Sequence, residues 1–316
     1  MQLFHGTKID FMKWRLHFFI FSLTLTTLSL LFTLIIGVEY GIEFTGGTEL
    51  ALKFDGKTIQ TDQIRKSLDK TGFTGIEIKS FGEFNQFLVR MKEHGTATDR
   101  VMGELKKDFP DNKAELKSSN NIGPKIGKET RNIGLLAVVL AILAMLLYIA
   151  FRFQFIYGLG AIVAIVHDVL ITLGVVVIVH RLGLINLEFN QGLIAAFLTI
   201  VGYSVNDTVI VFDRVRENLV KHKGLHFIKL INLSINETLS RTINTVLTVV
   251  LVLVSMVILA GPVLQGFAFT MLVGVMFGTY SSVYIASAFV VWYLKYVKKV
   301  DVEDAPAHKA MAAANA

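Results

Sequence analysis

Four ionisable side chains stand in or beside stretches that are otherwise apolar. His167 and Asp168 lie midway through 156–179, Asp207 lies in 189–212, and Arg241 falls a residue or two before 243–260. An ionisable group in hydrocarbon costs several kcal/mol, so one that persists there is a functional candidate. Asp207 is six residues before the charged end of its stretch at Asp213, about 9 Å at the rise of a helix. Arg241 can reach inward or snorkel outward. Ser234, Thr238, Arg241, Thr245, Thr248 and Ser255 recur at steps of three, four or seven, so they share one side of a helix. A polar stripe of this kind faces protein or water, not lipid. Thr199, Tyr203, Asn206 and Asp207 form a compatible face upstream, and an Asp207–Arg241 pairing is therefore expected. Each group also has a plainer reading: a structural acceptor for Asp207, a membrane-end anchor for Arg241, and a hydrogen-bonded packing unit for His167–Asp168.

These groups need a bilayer around them, and the composition supplies one. Of 316 residues, 53% are hydrophobic and only 18% are charged, a balance that does not fit a water-soluble globule. The apolar residues fall into six blocks of about the ~20 residues that span a bilayer, at 16–37, 133–151, 156–179, 189–212, 243–260 and 267–294. The first exceeds the ~7–15 apolar residues of a secretory leader and has no small-residue cleavage site after it, so it reads as a retained anchor. Lys and Arg collect before span one, between spans two and three (Arg152), between four and five, and after six. Both termini are therefore expected in the cytoplasm, with residues 38–130 exported. The cysteine count of zero excludes disulfides and thiolate metal sites, and the net charge of +6 sits beside apolar blocks in no patch that suits nucleic acid.

The predicted organisation is a multi-pass six-helix membrane protein with one small α+β domain between helices one and two. Residues 1–37 hold the N-terminus and span one, 131–296 hold spans two to six, and 297–316 form a C-terminal tail. Residues 217–236 mix lysines with apolar residues, and the expectation is a helix lying in the membrane interface. Within 38–130, the alternation of Glu49–Phe54, Gly75–Phe81 and Phe84–Met91 predicts strands, the last two joined at Gly82-Glu83. Helices are predicted over Gln60–Thr71 and Ala97–Phe109, and a final strand near Ala114–Ser118 gives the split βαββαβ order. No catalytic, cofactor or metal constellation is present, and His94 reads as solvated surface. Gly274, Gly278, Ser282 and Ala286 recur at every fourth position, a small-residue ridge for close approach of another helix.

Several runs of sequence resemble one family in order. Gly41-Ile42-Glu43-Phe44-Thr45-Gly46-Gly47-Thr48 is similar to the G-[IV]-D-F-x-G-G motif of the SecD and SecF export proteins, with Glu43 in place of Asp. Ile122-Gly123-Pro124-Lys125-Ile126-Gly127 and Tyr148-Ile149-Ala150-Phe151-Arg152-Phe153 resemble the family's re-entry segment and the end of its second span. His167-Asp168-Val169 follows in span three. The run 201–218, with Gly202, Tyr203, Asn206, Asp207, Asp213 and Arg214, resembles the signature of the SecF side, and Ser234–Thr242 and Gly278–Ser282 complete the series.

The resemblance implies a non-enzymatic subunit of the bacterial inner membrane, within the resistance–nodulation–division superfamily. With SecD as partner it would use the proton motive force to promote late steps of export of an unfolded polypeptide through the Sec channel (SecY/SecE/SecG). It implies that Asp207 and Arg241 lie on the proton route. Two rival readings are an independent small-molecule exporter, which predicts two six-span repeats and two large exported domains, and a passive scaffold for SecD.

Overall fold

The computed structural model describes residues 7–73, 76–80, 84–93, 95–152, 154–308 and 310–311. Two compact units divide the chain. One comprises residues 39–137 with 188–191, the other residues 1–38, 138–187 and 192–316. The Gly82-Glu83 connection, His94 and Phe153 lie outside the described residues.

In the first unit, β1 (Gly47–Phe54), α3 (Thr61–Asp69), β2 (Glu77–Ser80), β3 (Gln86–Met91), α4 (Ala97–Asp108) and β4 (Ala114–Ile122) follow a short α2 (Ile42–Thr45). The strands form one antiparallel sheet in the order β2-β3-β1-β4, the split arrangement expected from the sequence. The period of two sends Leu50, Leu52, Phe54, Phe87, Val89 and Met91 to one face, where Ile64 and Leu68 of α3 and Val101 and Leu105 of α4 close the core.

The alternate residues Glu49, Lys79 and Arg90 belong to the other face, and there the sequence concealed a feature. Glu188, from the segment preceding the fourth long apolar helix, is only 4% exposed and ion-pairs with Arg90. It also lies 3.1 Å from Lys79, while Arg90 holds Glu49 at 2.5 Å. Gly46, at φ +74°, carries the chain into β1. A Cβ added at Gly127 would come 2.9 Å from the Gly46 nitrogen. The two glycine motifs that bracket the domain thus pack backbone to backbone, which is why neither tolerates a side chain there.

The second unit is helical. Its long elements are α1 (Arg15–Ile36), α5 (Pro124–Arg152, begun in the first unit), α6 (Phe155–Arg181), α7 (Gln191–Lys221), α8 (Phe227–Leu259) and α9 (Pro262–Ser281). After α9 the helix continues through a wide turn at Ser282–Ala286, α10 (Ser287–Trp292) and a second wide turn at Tyr293–Val297. Among the described residues, six helical stretches are long and apolar enough to cross a membrane. The small-residue ridge is spent inside the chain. Gly274 packs on Ile200 and Gly278 on Ser204 of α7, while the Ala286 carbonyl sits over Gly160 of α6.

The interfacial helix expected at 217–236 is not a separate element. Its first residues end α7, and from Phe227 onward it is the start of α8. Phe227, Leu230, Ile231 and Ile235 do have an apolar face, but the chain's own ends cover it: Phe11 and Met12 on one side, Val302, Ala307, Ala310 and Met311 on the other. Asn232 and Asn236, one turn apart, grip the N-terminal segment. Asn236 accepts from Ile9 N–H (3.0 Å) and donates to its carbonyl (2.8 Å), and Asn232 accepts from Met12 N–H at 3.0 Å. The tail is held as closely, with Ala307 N–H donating to the Leu225 carbonyl at 2.9 Å and His308 Nδ1 meeting the Lys223 carbonyl at 2.6 Å.

Candidate functional site

The polar groups of the spans fall into two sets. The first centres on Asp168, which is wholly buried in α6. Its Oδ1 pairs with Nδ1 of His167 at 2.8 Å, and its Oδ2 accepts hydrogen bonds from Ser204 of α7 (2.6 Å) and Ser281 of α9 (2.8 Å). An acceptor opposite Nδ1 selects the tautomer with the proton on that nitrogen. Nε2 of His167 has no partner among the described residues. The imidazole lies beside the ring of Tyr280 at 6.2 Å, and the Tyr280 hydroxyl donates to the Phe18 carbonyl of α1 (2.9 Å) and meets Ser22 at 2.8 Å. Four helices are thereby joined through one carboxylate and one phenol.

The second set is Asp207. It lies on the buried face of α7 with Ser204, Thr208, Val211 and Val215, at steps of three and four. Its only hydrogen bond among the described residues comes from Thr279 of α9, at 3.2 Å to Oδ2, and Oδ1 has none. The Thr279 hydroxyl also lies 2.9 Å from the Val275 carbonyl, so its single proton is shared.

The expected Asp207–Arg241 pairing is not a direct contact: no hydrogen bond or ion pair joins them among the described residues. The rotation of α7 explains this, since Asp207 points toward α9 while Arg241 is exposed on α8. Thr199 and Asn206 are exposed too, so the face proposed for span four is divided. Most of the stripe on α8 has a simpler account than a facing partner. Thr238, Thr245, Thr248 and Ser255 return their hydroxyls to carbonyls of their own helix at 2.7–3.0 Å, and Ser234 does so at 2.8 Å while also accepting from Asn218 of α7 at 3.0 Å.

Of the other motif residues, Arg214 pairs with Glu217 at 2.6 Å and approaches Glu237 at 3.5 Å. The Tyr203 hydroxyl has no partner among the described residues, and Asp213 is exposed. Ser282 is buried in the wide turn after α9, and Arg152 ends α5. A Cβ at Gly123 or Gly202 would meet nothing within 4 Å, so close packing is not their reason. Gly47 lies against the Met91 carbonyl, Pro124 lies beside Gly46, and Phe44 is buried. Ser204, Thr279, Tyr280 and Ser281 are the residues that sequence reasoning left as mere members of motif runs. For the last three the signal was one hydroxyl-rich patch following Gly278.

Glu43 folds back over Gly41, whose added Cβ would lie 2.5 Å from its carboxylate. Burial pushes its pKa above the ordinary 4.5, nearby Glu49 and Glu188 push the same way, and its own backbone N–H and Arg90 oppose them. A raised folded-state value means that ionised Glu43 destabilises the fold at neutral pH, a penalty that fades as pH falls through that value toward 4.5. Glu43→Gln should therefore raise the unfolding temperature at pH 7, with the gain gone at pH 4. A gain of equal size at both pH values would show that charge is not its cause.

Comparison with known proteins places this arrangement. Residues 101–296 match the family described as protein export membrane protein SecD/SecF, C-terminal. The chain is 39% identical over 294 residues to the protein translocase subunit SecF of Rhodothermus marinus, covering 92% of this chain and 95% of that one. Its identity to the SecF of Escherichia coli O157:H7 is 34% over 293 residues, covering 91% and 88%. The solved structure of SecDF from Thermus thermophilus, a translocon-associated membrane protein, superposes with a TM-score of 0.81 at 37% identity. That match covers 93% of this chain and 39% of the larger SecDF chain. With six membrane-length apolar helices the chain is a multi-pass membrane protein. It belongs to the SecF family of protein translocase subunits.

Proposed function

We propose that this chain is the SecF half of a SecD–SecF pair in the bacterial inner membrane, with both termini cytoplasmic and residues 38–130 exported. The pair would use proton flow to promote late translocation of an unfolded polypeptide emerging from the Sec channel. The observation that carries the proton role is Asp207, a carboxylate buried in a membrane-length helix with one oxygen bonded to Thr279 and the other without a partner among the described residues. Such a group can take a proton from one side and release it to the other if its surroundings change. Movement of the Arg241 cation relative to Asp207 would change those surroundings and so move the proton. One proton crossing ~100 mV releases about 2.3 kcal/mol, so a few suffice to drive a domain motion. No bond of the cargo changes, and no cofactor or metal is called for.

Family membership argues against the independent exporter, because this chain matches nearly the full length of SecF relatives with a single six-span repeat. The scaffold reading predicts that Asp207 and Arg241 can be replaced freely, so substitutions at those residues separate it, and depletion tests the need for the chain itself. Membranes depleted of the chain should lose ionophore-sensitive, late-stage translocation of a secreted substrate, and only this chain together with SecD should restore it. Restoration by SecD alone would defeat the proposal. Orientation has its own check in the cysteine-free background. A Cys at Lys57 should react with an impermeant reagent in intact spheroplasts, and labelling only after lysis would reverse the topology.

A further inference from the structure

We propose that the cavity between the start of α1 and the end of the last helical stretch binds an anionic phospholipid. It encloses about 430 Å³, within the usual range for a small-molecule site. One end of it is cationic. Lys13, Arg15 and Lys295 all line it, and one carboxylate serves two of them: Glu303 Oε1 lies 3.4 Å from Arg15 and 3.2 Å from Lys295. Lys13 is exposed and has no ion pair among the described residues. The Arg15 guanidinium is also fixed from behind, donating to the Met12 carbonyl at 3.0 Å, so it presents a preset donor fork.

The rest of the lining is of another kind. Leu16, Phe19 and Val291 make an apolar wall, and Trp292 (48% exposed) and Tyr296 (64% exposed) stand at its mouth. Aromatic rings of this sort mark the headgroup level of a bilayer. Cationic end and apolar wall together describe an amphiphile with an anionic head and a hydrocarbon tail. A soluble anion would use the lysines and leave the wall bare, whereas a neutral lipid would leave the cations without a counter-charge. Basic residues that merely orient a span need no cavity. Basic pockets between membrane helices are a recognised form of anionic-lipid site. The inference does not depend on the proton reading of Asp207.

Native mass spectrometry of the purified full chain in detergent tests it. The probes are phosphatidylglycerol, phosphatidylcholine with the same acyl chains, and free glycerol 3-phosphate. Phosphatidylglycerol should be retained at least fivefold over phosphatidylcholine, and glycerol 3-phosphate at equal concentration should not displace it. Lys13→Gln/Lys295→Gln should cut retention at least fivefold and Trp292→Ala at least twofold. The charge-matched Lys223→Gln/Lys229→Gln, whose side chains lie outside the cavity lining, should leave it unchanged. If the double variant does not fold, Lys13→Gln alone carries the test, with an expected loss of at least twofold. Equal loss in the charge-matched control, equal retention of phosphatidylcholine, full displacement by glycerol 3-phosphate, or unchanged retention in the cavity variants would each overturn the proposal.

Discussion

Inverted vesicles carrying Asp207→Asn should translocate a late-stage substrate no faster than vesicles lacking the chain, and an ionophore should make no further difference. The argument rests on what the substitution keeps. Asparagine has the same volume, and its carbonyl oxygen can still accept from Thr279, the one partner found at 3.2 Å. What it cannot do is bind and release a proton. The variant should therefore insert, remain bound to SecD, and lose only the gradient-dependent part of its activity. Thr279→Val is the companion, because it removes the donor while leaving the carboxylate able to titrate, and should weaken the stimulation without abolishing it. Arg241→Lys keeps the charge but not the planar fork, and should fall between parent and Asp207→Asn. Full ionophore-sensitive stimulation in the Asp207→Asn vesicles would reduce Asp207 to a structural acceptor.

Asp168→Ala should lower stability by about 2–4 kcal/mol, from three interhelical and local hydrogen bonds worth up to ~1.7 kcal/mol each in a membrane protein. Asp168 is the common acceptor of Ser204, Ser281 and His167, so its removal takes the acceptor from Ser204 and His167, while Ser281 keeps the Gly278 carbonyl at 3.0 Å. Asp168→Asn should cost less, since it keeps one acceptor oxygen. The measurement is thermal unfolding in mild detergent, beside SecD retention and the vesicle assay. The expected order is loss of stability first and loss of stimulation only as a consequence. A variant that melts with the parent yet has lost gradient-dependent stimulation would move Asp168 from the packing of the helices to the proton route.

The contrast between these two carboxylates was only half legible beforehand. Hydropathy located both in membrane-length helices, since a polar residue in a long apolar run stands out whatever its neighbours do. Their rotation about the helix axis was not legible in the same way. The buried positions 204, 207, 208, 211 and 215 do trace one face of α7, but both faces of a span are apolar, and burial leaves little pattern there. The hydroxyl stripe on α8 divides: Ser234 and Thr238 are buried and Ser234 accepts from Asn218 of α7, whereas Thr245 and Ser255 are exposed and bond only to carbonyls of their own helix. In the sheet domain the alternation of Leu50, Leu52 and Phe54 against Glu49 and Lys53 had a polar side to contrast with, and strand order followed. Glu188 escaped because a lone glutamate between two apolar blocks reads as solvated. Its partners, Arg90 and Lys79, come from strands far away in sequence.

The grip of Asn232 and Asn236 on residues 9–12 bears on biogenesis. A chain made from its N-terminus inserts α1 long before α8 exists, so the backbone groups of Ile9 and Met12 wait for acceptors synthesised more than two hundred residues later. The segment that completes the same apolar cluster, with Val302, Ala307 and Met311, emerges later than α8. The first span therefore stays unfastened at its starting end until the first turns of α8 have been made. A nascent chain released before Phe227 carries no means of securing its own beginning, which leaves a recognisable mark of incompleteness for a membrane protease to act upon.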